Sequence, residues 1–190
     1  MHPLAPHSPL TLRSVRVPSQ ALAALDPSSD DHSRVEEDLA DTLFELSTVL
    51  TELEQPSEAV PLLRRCLQIQ MARHGEQSED ALMCNELLAK ALSEADQKGE
   101  EVVQTLRRGL EMKRNVHGED SQEVADAHNE LAVALQEMGE SQLAEQEARN
   151  ALSLHIELFG ESHMYTGTCI CNLATLLQQQ NKLHPAEMLL

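Results

Sequence analysis

Few side chains in this 190-residue chain are spaced for chemistry. Cys169-x-Cys171 lies on a predicted helix, where two such side chains point roughly 200° apart, so they cannot easily share one metal. With Cys66 and Cys84 they make up the four cysteines, and small core packing is the reading for all of them. His155 and His163 fall near one turn with no third ligand spaced to join them. His74 and His117 each precede a glycine, and Phe159 takes the equivalent place. An apolar substitute there favours turn packing over catalysis or metal binding. No phosphate-cradling glycine loop, His-Glu-x-x-His pair or Gly-x-Ser-x-Gly elbow occurs. Paired carboxylates are everywhere, and none stands out. The chain is therefore expected to be no enzyme, with no catalytic residue, cofactor or metal.

Composition narrows the partners. Fourteen Lys+Arg against 32 Asp+Glu leave a formal charge of −18. Nucleic acid requires a cationic footprint, and an anionic membrane surface repels such a chain. No apolar run approaches the roughly 18 residues of a spanning helix. Four cysteines in a chain of this size, with no signal peptide read before them, fit a reduced compartment better than a disulfide scaffold. Phe44, Phe159 and Tyr165 are the only aromatics, which leaves the core to Leu, Ala, Val, Ile and Met and argues against a sheet sandwich. Residues 1–25 hold Arg13, Arg16 and no acid, a formal +2, so the rest of the chain carries −20. Pro3, Pro6, Pro9, Pro18 and Pro27 crowd the same end. Residues 1–32 read as a disordered, proline-rich leader. The expected location is cytoplasmic; the alternative is mitochondrial or plastid, if residues 1–25 act as a transit peptide.

The elements that hold the remaining residues come from a repeat. Arg73-His74-Gly75-Glu76, Val116-His117-Gly118-Glu119 and Leu158-Phe159-Gly160-Glu161 recur at 43 and 42 residues. Leu46-Ser47, Leu88-Ala89, Leu131-Ala132 and Leu173-Ala174 keep the same period, each followed by Leu50, Leu92, Leu135 or Leu177. Cys66, Gly109 and Ala151 form a third series of small residues. Within a unit, Val124, Ala127, Leu131, Leu135 and Met138 trace a helical stripe; the pattern breaks at Gly139 and resumes with Leu143, Ala144, Ala148, Ala151, Leu152 and Ile156. Each unit is a helical hairpin closed by glycine in a left-handed C-terminal conformation. Ser33 with Glu36 and Asp120 with Glu123 are spaced as capping boxes. The units run about 33–75, 76–118, 119–160 and 161–190, the last incomplete. Helices are predicted near 34–53, 57–73, 79–96, 100–116, 121–138, 141–158 and 164–180.

The spacing of small residues resembles the tetratricopeptide repeat. Ser47 leads to Ala59, Ala132 to Ala144 and Ala174 to Ala186, each by 12, while Ala89 to Val102 needs 13, an extra residue near Gly99. The period of about 42 resembles the kinesin light chain type of this repeat, as do Ala59-Val60-Pro61-Leu62-Leu63-Arg64-Arg65-Cys66-Leu67, Cys171-Asn172-Leu173-Ala174 and the helix-opening Ala144-Glu145 and Ala186-Glu187. The heptad coiled coil that joins kinesin light chains to the heavy chain is absent. The resemblance covers residues 33–190. It implies an all-α, right-handed α-solenoid of about 3.5 hairpins.

It also implies a concave groove lined by the first helix of each unit. The register places Asp41, Phe44, Glu45, Thr48, Thr51 and Glu52 in the first wall, and Met83, Glu86, Lys90, Ser93 and Glu94 in the second. Asp126, Asn129, Glu130, Val133, Gln136 and Glu137 follow in the third, then Thr168, Cys171, Asn172, Thr175 and Gln178 in the fourth. Asn129 and Asn172 each match one of the two asparagines with which the family holds a peptide backbone; Phe44-Glu45 and Glu86-Leu87 depart from that pattern. The many acids and the one lysine make a basic peptide segment of a partner protein the expected ligand. The bland alternative is that these acids only solubilise an exposed face. A competing reading makes the array a structural or regulatory segment of a larger motor-adaptor or enzyme polypeptide. Self-association is expected through the unfinished apolar helix ending at Met188, Leu189 and Leu190.

Overall fold

The computed structural model describes residues 30–95 and 99–180. These form α1 (Asp30–Glu52), α2 (Pro56–His74), α3 (Glu79–Glu94), α4 (Glu100–His117), α5 (Gln122–Glu137), α6 (Ser141–Phe159) and α7 (Met164–Gln179). No strand occurs among the described residues, and the fold is all-α. Two compact units divide between Ala95 and Asp96, inside the expected second repeat and a few residues before Gly99. In the first unit α1 packs on α2, α2 on α3, and α1 also reaches α3. In the second α4 packs on α5, α5 on α6 and α6 on α7. Residues 1–29 and 181–190, which hold most of the expected leader and the unfinished helix, lie outside the described residues.

The repeated positions explain this packing. Leu50, Leu92, Leu135 and Leu177 are all buried, each contributing about 1.5–3 kcal/mol by leaving water. Between them, Ala59, Cys66, Gly109, Ala144, Ala148 and Ala151 are buried small residues on the second helices. They let helix backbones approach closely. Ser47 occupies the small position of α1, fully buried, and satisfies its hydroxyl by donating to the Leu43 carbonyl at 2.6 Å.

Helix ends follow a rule that the sequence reading states only in part. Gly75, Gly118 and Gly160 close α2, α4 and α6, each donating its N–H four residues back, to Met71, Arg114 and Ile156. Their φ values are +81°, +90° and +84°, as expected for glycine, but ψ lies at −178°, 161° and 167°. The conformation is thus extended in ψ, an almost glycine-only region rather than the left-handed helical one, because the chain must leave straight toward the next helix. Three residues on, Ser78, Ser121 and His163 cap that helix, accepting from Ala81 N, Val124 N and Tyr165 N. The cap at α5 is therefore Ser121, not Asp120. Ser33 is no cap either. It lies inside α1, which begins at Asp30, and its carbonyl and hydroxyl receive the Arg73 guanidinium from α2.

Within hairpins a second device recurs. Gln55 N donates to Leu50 O at 2.8 Å and Glu140 N to Leu135 O at 2.9 Å, the six-to-one bond of a glycine-type helix stop. Gly139 supplies the positive φ of 81° in one, and Glu54 takes φ 57° in the other at some cost in strain.

Two glycines with opposite demands test this account. Gly118→Ala adds a Cβ with nothing within 4 Å, so the expected loss of about 1–3 kcal/mol comes from backbone conformation alone. Gly167→Ala, inside α7 with equally open space, is expected to stabilise by about 0.5–1 kcal/mol. Chemical denaturation of the two variants reads both signs.

Candidate functional site

None of the residues assigned to the groove is buried; all line exposed or half-exposed faces of α1, α3, α5 and α7. In the first unit Asp41, Glu45 and Glu52 are exposed on α1, and Met83, Glu86, Lys90, Ser93 and Glu94 on α3. Partial loss of water around the carboxyl, followed by the negative charges of Glu37, Asp80, Asp38 and Glu45, raises the Asp41 pKa above the ordinary carboxylate value. Lys90 pairs with Glu94 one turn along at 3.8 Å, an exposed pair of little energetic weight.

In the second unit α5 and α7 stand side by side on this face. Asn172 Nδ2 donates to Asn129 Oδ1 at 2.9 Å, and Gln136 Nε2 to Gln179 Oε1 at 2.6 Å. The residues 43 apart in sequence are thus brought together, and Gln179 joins a face to which the sequence reading does not assign it. Glu130, Val133 and Glu137 flank the amides on α5; Cys171 and Thr175 flank them on α7, all exposed.

Several assigned side chains have other tasks. Thr48, Thr51, Ser93 and Thr175 donate their hydroxyl protons to carbonyls one turn back in their own helices. A ligand would find them as acceptors. Asp126 Oδ1 lies 3.2 Å from His155 Nε2, and its Oδ2 receives Gln122 Nε2 at 3.4 Å, so it helps hold α5 to α6.

That contact belongs to a buried arrangement with no sequence signature. His155 Nδ1 lies 2.9 Å from the Ala151 carbonyl and 3.6 Å from Cys169 Sγ, and Thr166 donates to the His155 carbonyl at 3.3 Å. Asp126, His155 and Cys169 have the order of an acid–base–nucleophile chain. The chemistry does not follow, because a carbonyl only accepts: Nδ1 must present a proton to Ala151 and is no base for the thiol. Burial, then the Asp126 charge, pushes the Cys169 thiol up to about 11, away from the thiolate a nucleophile needs. Cys171 is exposed, so core packing accounts for the other three cysteines and not for this one. His74 and His117 are exposed rather than packed into turns. They stand in the last turns of α2 and α4. Phe159 does pack, against His163 at 4.7 Å and Tyr165 at 5.7 Å between ring centroids. No group of three or more metal-binding side chains occurs among the described residues, and no described helix is long and apolar enough to cross a membrane.

A polar network ties the helices behind this face. His128 Nδ1 on α5 donates to Glu147 Oε2 on α6 at 2.6 Å, and Arg114 Nη2 on α4 approaches His128 Nε2 at 3.3 Å. Arg114 also pairs with Glu111 and Glu119. The hydrogen bond from His128 is the main reason that Glu147 titrates below the ordinary carboxylate value.

The folded hairpins keep one register, an all-α helical repeat fold. The tetratricopeptide repeat family model matches residues 123–190. In fold the chain is similar to a candidate kinesin light chain of Podosopora anserina with nearly identical repeats of this type: TM-score 0.65, 20% identity, 94% of this chain and 83% of that one. BtubC (BKLC) of P. vanneervenii is similar at TM-score 0.69 and 18% identity, over 96% of this chain and 71% of its own. A Rap protein solved in complex with competence and sporulation factor is similar at TM-score 0.58 and 17% identity; this chain, 95% covered, spans 47% of it. No curated protein matches the sequence. The tetratricopeptide repeat read from the spacing is the family whose model matches residues 123–190, and the kinesin light chain type resembled by the sequence is among the solved structures similar in fold.

Removing the carboxylate of Glu147 checks the polar network. A group whose pKa is lowered on folding stabilises the fold above its unfolded value, and that contribution disappears as pH falls through the folded value. Glu147→Ala is expected to cost roughly 1.5–3 kcal/mol at neutral pH. The gap from the wild-type chain should narrow progressively below the ordinary carboxylate value of 4.5, as read by urea denaturation across pH.

Proposed function

We propose that this chain is a protein-interaction module, with no catalysis of its own, that captures a basic segment of a partner protein on the exposed first-helix faces. The observation that carries the reading is the amide pair Asn129–Asn172 at 2.9 Å on adjoining helices. Each amide still has an N–H to donate, and Asn172 Oδ1 adds an acceptor, the complement of a peptide backbone. Glu130 and Glu137 flank the pair and supply the charge preference. In the first unit the Asp41 carboxyl, raised by loss of water and then by the acids Glu37, Asp80, Asp38 and Glu45 around it, favours the same sign of ligand, since an incoming guanidinium or ammonium stabilises its charged form. The inertness of Cys169 and His155 supports the non-enzymatic reading. That solved neighbours include a Rap protein in complex with a factor is in keeping with a ligand-binding array. The cytoplasmic location and the second reading, a regulatory segment of a longer polypeptide, rest on the sequence alone.

Fluorescence anisotropy with labelled Arg/Lys-containing peptides, and acid-containing peptides of equal length as controls, tests the reading. Binding of the basic set only is expected. Asn129→Ala with Asn172→Ala should weaken it at least tenfold, about 1.4 kcal/mol, and Glu130→Lys should weaken it further at low salt than at high salt. Equal affinity for both peptide sets, or affinity indifferent to these substitutions, overturns it.

A further inference from the structure

We infer that Cys66 and Cys84 join as a disulfide when the chain meets a peroxide, stapling α2 to α3 inside the first unit. Their sulfurs lie 2.7 Å apart with both side chains buried. That is inside the roughly 3.5–4.0 Å of ordinary non-bonded contact and a short movement from the about 2.05 Å of a bonded pair. The residues come from facing helices joined by the Gly75–Ser78 linker, so closing the bond asks no rearrangement of the chain between them.

The repeat shows that this pairing is particular to one seam. The positions equivalent to Cys66 and Cys84 are Gly109 and Ala127 at the α4–α5 seam, and Ala151 and Cys169 at the α6–α7 seam. Of the three seams, only this one has a thiol at both positions. Cys169, the single thiol at its seam, turns to His155 instead.

The step balances with hydrogen peroxide as oxidant. One sulfur attacks a peroxide oxygen, the O–O bond breaks, and water leaves as a sulfenic acid forms. The second thiol attacks that sulfur, the S–S bond forms, the S–O bond breaks, and a second water departs. Two thiols thus lose two electrons and two protons, and one peroxide becomes two waters. The native packing restrains the reaction. Cys66 shares a hydrogen bond with Cys84, lies buried, and donates weakly to the Ala40 carbonyl of α1 at 3.4 Å, and each influence keeps it a thiol. The first step therefore belongs to a locally opened state, and the bond, once formed, resists that opening.

Peptide mass spectrometry, begun from the full folded chain, tests the inference. The reduced protein is exposed to hydrogen peroxide, denatured, alkylated and digested, in the wild-type chain and in a Cys171→Ser background that removes the exposed thiol. Expected are a peptide pair crosslinked through Cys66 and Cys84, failure of those two residues to take the alkyl group, and a melting temperature higher than that of the dithiothreitol-treated sample. Alkylation of both residues after peroxide treatment, or a disulfide from either of them to Cys169 or to a second chain, overturns it. Cys66→Ser should leave Cys84 fully alkylated; a crosslink persisting at Cys84 in that variant also overturns it.

Discussion

A hairpin of two helices cannot surround its own apolar side chains, and this limitation governs the molecule. Helices such as α2, α5 and α6 pack on two neighbours each, and leucines such as Leu63 on α2 and Leu131 and Leu135 on α5 are buried. Those leucines stay dry only if the next hairpin arrives at the right distance. The spacing is set by alanine, glycine, cysteine and serine, whose small side chains decide how near two backbones come. The near absence of aromatic residues follows, since a large ring at Ala59 or Ala148 would separate the helices that the leucines need together.

The same architecture divides labour between polar residues. Faces turned into the stack keep polar groups that are satisfied in place, as with Ser47, His155 and His128. The first helices α1, α3 and α5 hold half of the acids, on faces that avoid burial. Net charge of −18 is therefore carried with modest strain except where acids crowd, as around Asp41. Exposed charges of this kind influence the rate and selectivity of encounter more than the strength of a final complex.

Helix identity and extent were legible because glycine, leucine and small residues each mark the 42–43-residue period independently. The ends that were misread have local causes. Ser33 resembles a cap in spacing, but Arg73 from α2 claims its oxygens and α1 extends past it. Asp120 has the right chemistry one position too early, and Ser121 holds the cap. On the candidate site, the residues that the register assigns all avoid burial, and Asn129 and Asn172 share one unit's face. The register does not show that their amides meet, that Asp126 serves His155, or that threonine hydroxyls turn back on their own helices. Those are contacts between side chains distant in sequence or rotamer choices within one turn, and periodicity contains neither.

The joint between hairpins is chemically self-contained. A glycine whose N–H closes one helix and a residue three places later whose side chain opens the next complete the termini of both, using nothing beyond the segment itself. Such a joint makes the repeat a cassette. A unit duplicated or deleted between equivalent glycines leaves every surviving helix with its stop and its start, so gene duplication can change the reach of the array in steps of one hairpin without redesigning a helix end.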